Sequence, residues 1–228
     1  MIDIENTSQL SYNKNRGIPR KNNRMTGGIL LKDKEIKVGQ IRKKEIRDAA
    51  MRCFLNKGFQ NTTMEDVIKE VGMSTGGVYH HYKSTAEMLK DLMLDGNQYR
   101  NNLIDNYLEA HIGQDKYEQM SEILVDKCLP DTDITKVYSL LLQSKKYNED
   151  LEKMFQDLKT ETVNQLDSIS NKLGIDSKIF EDGFLVNYIN GMILSSQVLN
   201  ARDSYDENRK YLKDTILNYI LDLEKIDN

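Results

Sequence analysis

Hydrophobic residues recur at steps of three and four between about Gln40 and Lys57. The apolar positions of this stretch are Ile46, Ala49, Ala50, Cys53 and Phe54. This spacing places them on one face of an α-helix, so the segment predicts an amphipathic helix that buries that face. Gly58 follows Lys57 directly, as expected where a helix ends.

The next helix is predicted to begin at one of two overlapping capping boxes. Thr62 pairs with Glu65, or Thr63 pairs with Asp66, because in each pair the threonine precedes the acidic residue by three positions. The apolar residues that follow end at Gly72. Glycine favours the left-handed conformation with which many helices end, so a second helix is predicted to stop there.

A third, very short helix is predicted between Ser74, which is placed to cap it, and Tyr82. Met73, Val78 and Tyr82 have the spacing to face the first two helices. The residues directed mainly outward are then Thr75, Gly76, Gly77, Tyr79, His80 and His81. Paired glycines weaken a helix, but they let its backbone lie close to another surface. The alternative is a tight interhelical turn that binds no ligand.

The rest of the chain is also predicted to be helical, so the fold class is all-α. Ser84-Thr85-Ala86-Glu87 is a further capping box that opens a fourth helix. Breaks between later helices are expected near Gly113–Asp115, Pro130–Asp133, Lys146–Tyr147, Gly174–Asp176 and Asp203–Asp206. The last two helices, about 177–201 and 206–226, have the most regular apolar patterns.

Charge divides the chain into two parts. Residues 1–90 carry 17 Lys and Arg against 10 Asp and Glu, whereas residues 91–228 carry 15 against 26. This asymmetry suggests an anion-binding module joined to a part that does not touch the anion, although chance clustering on solvated helix faces would give the same counts. The acidity of the second part would favour cationic amphipathic ligands, or would simply give it a solvated acidic surface.

Other chemistry is not indicated. Cys53 and Cys128 fit neither a metal-binding spacing nor a disulfide framework, and Cys53 is expected to be a buried thiol. Adjacent histidines on a helix point about 100° apart, so His80 and His81 are not expected to chelate one ion. We predict no metal site and no cofactor. No apolar run has membrane length and no secretory signal is present, so a cytoplasmic protein is expected.

The second and third helices have the arrangement of a helix-turn-helix, whose second helix must enter a DNA major groove about 12 Å wide. The run VGMSTGGVYHHYKS at residues 71–84, together with Thr62-Thr63 and Lys57-Gly58-Phe59 before it, resembles the N-terminal domain of the tetracycline-repressor (TetR) family. The resemblance covers residues 40–90 without gaps. Beyond it, the chain resembles the family only in its length and helical character.

The resemblance implies roles for individual residues. Thr63 and Lys83 would bind phosphates. Arg42 would help to position the protein, unless it is only a solvated charge of the first helix. Thr75, Gly76 and Gly77 would approach base edges behind the cap Ser74, and Tyr79 and His80 would contact phosphates and sugars. Thr85 departs from the family, which commonly has lysine at that position. With two glycines on the contact face, part of the specificity is expected to come from DNA shape.

Residues 1–38 are polar, contain glycine and proline and show no sustained period, which predicts a flexible basic arm. The resemblance implies a helix-turn-helix DNA-binding domain at 39–84 and a helical effector-binding and dimerisation domain at 85–228. The arm carries Arg16, Arg20, Lys21 and Arg24, which would touch DNA phosphates unless the arm is a disordered tail or translation begins at Met25.

The expected partners are operator DNA, a second copy of the chain and a small-molecule effector. A homodimer would form through the helices at 177–201 and 206–226 and would bind a near-palindromic operator. Effector binding would tilt the fourth helix. The aromatic residues considered for the effector pocket are Tyr107, Tyr138, Phe155, Phe184 and Tyr188, each of which also suits an ordinary core or interface position.

Three other classes of function are alternatives to a repressor: another DNA-binding regulator, an enzyme and a protein-interaction adaptor. A TetR-like activator, or a nucleoid-associated protein without an effector, would have the same DNA-binding domain. An enzyme is not expected, because the chain has no phosphate-binding glycine loop, no nucleophile–base pair and no suitably spaced carboxylates. A protein-interaction adaptor would use the helical domain alone.

Overall fold

The computed structural model describes residues 27–180 and 183–226, which form helices and no strands. In chain order the helices are α1 (Gly27–Lys57), α2 (Met64–Val71), α3 (Thr75–His81), α4 (Thr85–Ala110), α5 (Lys116–Cys128), α6 (Asp133–Ser144), α7 (Glu149–Leu173), α8 (Phe184–Val198), α9 (Arg202–Glu207) and α10 (Arg209–Ile226). Short 3₁₀ turns lie at Lys145–Tyr147 and Ser177–Phe180. The all-α prediction is confirmed.

The caps of α2 and α3 explain where these helices begin and end. Of the two possible boxes, Thr63 with Asp66 forms: the Thr63 hydroxyl accepts from the Asp66 amide, and the Asp66 carboxylate accepts from the Thr63 amide. Gly72 ends α2 with a φ of 70°. Ser74 caps α3 by accepting a hydrogen bond from the Gly77 amide. The predicted helix-turn-helix is confirmed.

The N-terminal helix is longer than predicted. It begins at Gly27 rather than near Gln40, so residues 27–38 of the predicted arm are helical. No proline interrupts this stretch, and its residues include the strong helix formers Leu, Lys and Glu, which allow the helix to continue upstream. Residues 1–26, with the four basic residues of the predicted arm, lie outside the described residues.

The C-terminal helices also differ from their predicted bounds. The stretch predicted as one helix at 177–201 contains the Ser177–Phe180 turn and then α8, and the predicted break at Asp203–Asp206 lies within α9. The chain turns instead at Asn200, which has a φ of 54°, a left-handed conformation that asparagine tolerates better than most residues. The other four predicted breaks are confirmed.

Helix α4 contributes to both hydrophobic cores. The first core joins α1, α2 and α3 to α4 and extends into α6 and α7 through Val137, Leu141, Leu151, Met154 and Leu158. The second joins α5, α7, α8 and α10, and α4 enters it with Ile104. Cys53 is a buried free thiol, as predicted, and Cys128 is another. Because α4 belongs to both cores, a change in one can reach the other through it.

The described part of the chain has neither a membrane-spanning helix nor a metal-binding cluster. None of its helices is both long enough and apolar enough to cross a membrane. It contains no group of three or more His, Cys, Asp or Glu side chains arranged to hold a metal ion.

Helices α4 and α6 approach closely at Gly96. A Cβ atom added to Gly96 would lie 2.6 Å from Cγ2 of Ile134, whereas a Cβ atom added to Gly39 in α1 would meet nothing within 4 Å. An extra methyl group there would force the Ile134 side chain or one of the two helices to shift.

We expect Gly96→Ala to lower the free energy of unfolding by about 1–3 kcal/mol through overpacking. Gly39→Ala, the matched control, should raise it by up to about 1 kcal/mol because alanine favours the helix. Urea denaturation measures both. Adding Ile134→Ala should recover part of the Gly96→Ala loss, since it removes the clashing Cγ2; strictly additive effects would show that this contact does not matter.

Candidate nucleic-acid interface

Helix α3 is held by its inner face and exposes its outer face. Val78 is fully buried, Tyr82 is 2% exposed and Met73 is half-buried, as the spacing predicts. The exposed residues of the outer face are Thr75, Gly76, Tyr79 and His80, of which Tyr79 is 36% exposed. Polar, aromatic and glycine residues therefore share one accessible surface on a helix whose position is fixed by the core.

The two glycines of α3 differ in their surroundings. A Cβ atom on Gly76 would meet nothing within 4 Å, whereas one on Gly77 would lie 3.1 Å from the Ser74 hydroxyl oxygen. Packing within the chain therefore accounts for Gly77 but not for Gly76. A glycine at the open position lets an external surface approach the helix backbone.

The residues predicted to bind phosphates differ in the partners that their side chains already have. The Lys83 ammonium donates to the Tyr79 carbonyl and is exposed to solvent. The Thr63 hydroxyl is engaged with Asp66 at the start of α2. Arg42 pairs with Glu45 of its own helix at 2.7 Å, so it would have to exchange that partner to bind a phosphate.

A polar cluster that the sequence analysis missed connects α3 to α1 and α4. The Arg47 guanidinium donates to the Tyr82 hydroxyl oxygen at 3.1 Å, and this hydroxyl donates to the Asp91 carboxylate at 2.8 Å. Arg47 also pairs with Asp95 at 2.6 Å. We call Arg47, Tyr82, Asp91 and Asp95 the Tyr82 cluster. A signal for it exists, because two carboxylates four residues apart on one helix face repel unless a cation lies between them.

Burial keeps the Tyr82 hydroxyl protonated. Loss of hydration, followed by the hydrogen bond to Asp91, raises the pKa of Tyr82 to about 12, so its hydroxyl remains a proton donor. Desolvation acts to lower the pKa of Arg47, but Tyr82 and the two carboxylates outweigh it and the net shift is upward. Near neutral pH the connection between the three helices is thus constant.

The five aromatic residues considered for a pocket lie in different surroundings. Tyr107 stacks on His111, Phe155 is buried beneath the Lys145 ammonium, and Phe184 lies on the α8 surface against Tyr219. The remaining two are Tyr188, which is half-buried on α8, and Tyr138, whose hydroxyl donates to the Asn190 side chain at 3.0 Å. Tyr138 lines a cavity that is enclosed by the five helices α4 to α8.

Comparison with known proteins identifies the same N-terminal region. Residues 46–92 match the family described as bacterial regulatory proteins, tetR family. The HTH-type transcriptional regulator YfiR of Bacillus subtilis (strain 168) is 47% identical over 55 residues, which are 24% of this chain and 27% of YfiR. The matched segment therefore spans about a quarter of that relative's length.

Solved structures share the fold over most of the chain. Salmonella enterica GusR has a TM-score of 0.63 at 18% identity, with 81% of this chain and 95% of GusR covered. The regulator FadR from Bacillus subtilis, solved in complex with stearoyl-CoA, has a TM-score of 0.55 at 14% identity, with 78% of this chain and 96% of FadR covered. The likeness includes the helical C-terminal domain, which the N-terminal match does not reach.

We expect Tyr82→Phe to lower the free energy of unfolding by about 1–2 kcal/mol, because Arg47 and Asp91 each lose a partially buried hydrogen bond. Tyr79→Phe is the matched control and should change it by less than about 0.5 kcal/mol, since that hydroxyl lies on the exposed face. Equal losses in urea denaturation would contradict a structural role for the Tyr82 hydroxyl.

Proposed function

We propose that the chain is a cytoplasmic transcriptional repressor of the TetR family of bacterial regulatory proteins, and that it binds operator DNA through α3 and responds to a small molecule. The observation that carries this proposal is the division of α3 into a buried face and an exposed face. Val78 and Tyr82 hold the helix, while Thr75, Gly76, Tyr79 and His80 stay accessible. This is the presentation that a helix needs to enter a major groove.

Base contacts and phosphate contacts are divided among these residues. Thr75 can donate or accept a hydrogen bond and can touch a thymine methyl group. Gly76 allows the backbone to come close to the base edges, which makes the readout depend partly on groove shape. Lys83, Thr63 and Arg42 would bind phosphates and fix the orientation of α3 without reading sequence.

The proposed active form is a homodimer that uses α8 and α10. These helices expose apolar side chains at Phe184, Val198, Leu199 and Tyr211, and such a surface favours association with another protein surface. A two-fold axis would place two copies of α3 about 34 Å apart, or a multiple of that distance, on a near-palindromic operator.

The proposed response to a ligand depends on α4. This helix contacts α3 through the Tyr82 cluster and reaches the second core, where a ligand would bind. The shared fold with FadR, which was solved with stearoyl-CoA, supports a response to a small molecule. A ligand that prefers a different tilt of α4 would shift the population of the DNA-competent form.

We expect the chain to bind DNA from upstream of its own gene more tightly than unrelated DNA of equal length. Lys83→Ala should weaken binding to both DNAs and reduce the slope of log affinity against log salt concentration by about one. Fluorescence anisotropy across a salt series measures this, with Lys153→Ala on exposed α7 as control. Equal affinities for the two DNAs would contradict operator binding, and an unchanged slope would exclude Lys83 from the phosphate contacts.

We expect Leu199→Asp to shift the protein from dimer to monomer, because Leu199 ends α8 with 73% of its surface exposed and a carboxylate there would be desolvated in the interface. Ile112→Asp is the matched control, since Ile112 is 85% exposed in the turn after α4. Light scattering after size exclusion measures the mass. A dimer that survives Leu199→Asp would contradict this interface.

A further inference from the structure

A small cavity in the C-terminal domain has an uneven charge distribution. Five helices enclose it, α4 to α8, and the cations that line it are Arg100, Lys127 and Lys159. None of its described lining residues carries a carboxylate. Positive charge therefore concentrates inside a domain whose overall charge is negative.

Lys127 is the most unusual of these cations because it is only 4% exposed. Within the described residues its ammonium group has no hydrogen bond and no ion pair, and the same holds for the half-buried Arg100. Arg209, by contrast, pairs with both Glu122 and Asp126. A buried cation without a counter-charge is costly, so structures normally provide a partner for it.

The protonation of the two cations reflects the missing counter-charge. Burial, together with repulsion from Arg100, lowers the pKa of Lys127 to about 7. Burial also lowers the pKa of Arg100, against a smaller opposite effect of Tyr138. An anion placed between the two side chains would oppose both shifts, because it favours the protonated forms.

Polar groups beside the cations suit an anion as well. The Asn190 side-chain oxygen accepts from the Tyr138 hydroxyl, which leaves the Asn190 amide nitrogen as a donor within the cavity wall. Asn97 adds a second side-chain amide to the same wall. Cations and amide donors together are the groups that bind carboxylates in proteins.

A larger cavity of about 560 Å³ adjoins the first and shares Arg100, Lys127 and Ile134 with it. Its apolar lining includes Leu92, Leu103, Ile104, Ile123 and Pro130. Carboxylates also line it, but four of them already pair with a cation, namely Asp48, Asp95, Asp126 and Asp133, and Asp131 is exposed. The two shared cations thus lie where a mostly apolar cavity meets a cationic one.

We propose that Arg100 and Lys127 bind the carboxylate of an amphipathic organic anion whose apolar body occupies the larger cavity. This proposal rests on the proposed function and assigns a chemical class to its effector. It reverses the expectation from the domain's net acidity, which would favour a cationic ligand. Arg100 belongs to α4, so the ligand would act directly on the helix that contacts α3.

Titration calorimetry on the full chain tests the charge requirement with decanoate and decan-1-ol, which differ in the head group. We expect decanoate to bind at least about tenfold more tightly, because a charge-assisted hydrogen bond is absent for the alcohol. Lys127→Met and Arg100→Met should each reduce this ratio to a few-fold. Lys153→Met, on the exposed face of α7, should leave it unchanged.

Folding of the Lys127→Met variant is checked by circular dichroism and thermal unfolding. Its stability should equal or exceed that of the unaltered protein, since an unpaired buried cation is replaced by an apolar side chain of similar length. Decanoate binding no tighter than decan-1-ol binding, including binding of neither, overturns the proposal. So does an unchanged ratio in both cavity variants.

Anisotropy with the upstream DNA distinguishes failure of this proposal from failure of the proposed function. Specific DNA binding without a preference for decanoate would reject the effector class and leave the regulator standing. A decanoate preference without specific DNA binding would support the anion site and reject DNA-dependent regulation. With both present, saturating decanoate should weaken DNA binding severalfold more than decan-1-ol does.

Discussion

The hydroxyl group of Tyr82 is the contact on which the arrangement of the N-terminal domain depends. It accepts from Arg47 of α1 and donates to Asp91 of α4, and its own residue ends α3. Three helices, α1, α3 and α4, therefore meet at one atom. Because the ring lies in the hydrophobic core and the pKa is raised to about 12, the contact is insulated from solvent and stays protonated at neutral pH.

This contact gives α4 its mechanical importance. In order along the helix, α4 carries Asp91 and Asp95 of the Tyr82 cluster, Gly96 against α6, and Arg100 in the cavities. From Asp91 to Arg100 the rise is about 14 Å, roughly two and a half turns of continuous helix. A displacement imposed near Arg100 is therefore transmitted to α3 without passing through a flexible loop. The tight Gly96–Ile134 contact restricts such a displacement to rotation or sliding about that point.

Local sequence signals predict the DNA-binding motif well, because Thr63, Gly72 and Ser74 act within a few residues of their own positions. They fail where the decisive contact comes from elsewhere. The turn at Asn200 and the insertion of α9 depend on how the C-terminal helices pack, and α1 begins upstream of the periodic apolar residues from which it was predicted. Neither the Tyr82 cluster nor the closeness of Arg100 to Lys127 is visible along the chain, since each requires residues from separate helices.

The division of α3 into an anchored face and an accessible face also has an evolutionary consequence. Seven residues are too few to form a stable helix alone, so α3 depends on Val78, Tyr82 and its Ser74 cap for its existence. Thr75, Tyr79 and His80 contribute little to that support. Mutations at these accessible positions would change the outer surface of α3 at small cost in stability. The buried scaffold and this outer surface are therefore free to diverge at different rates.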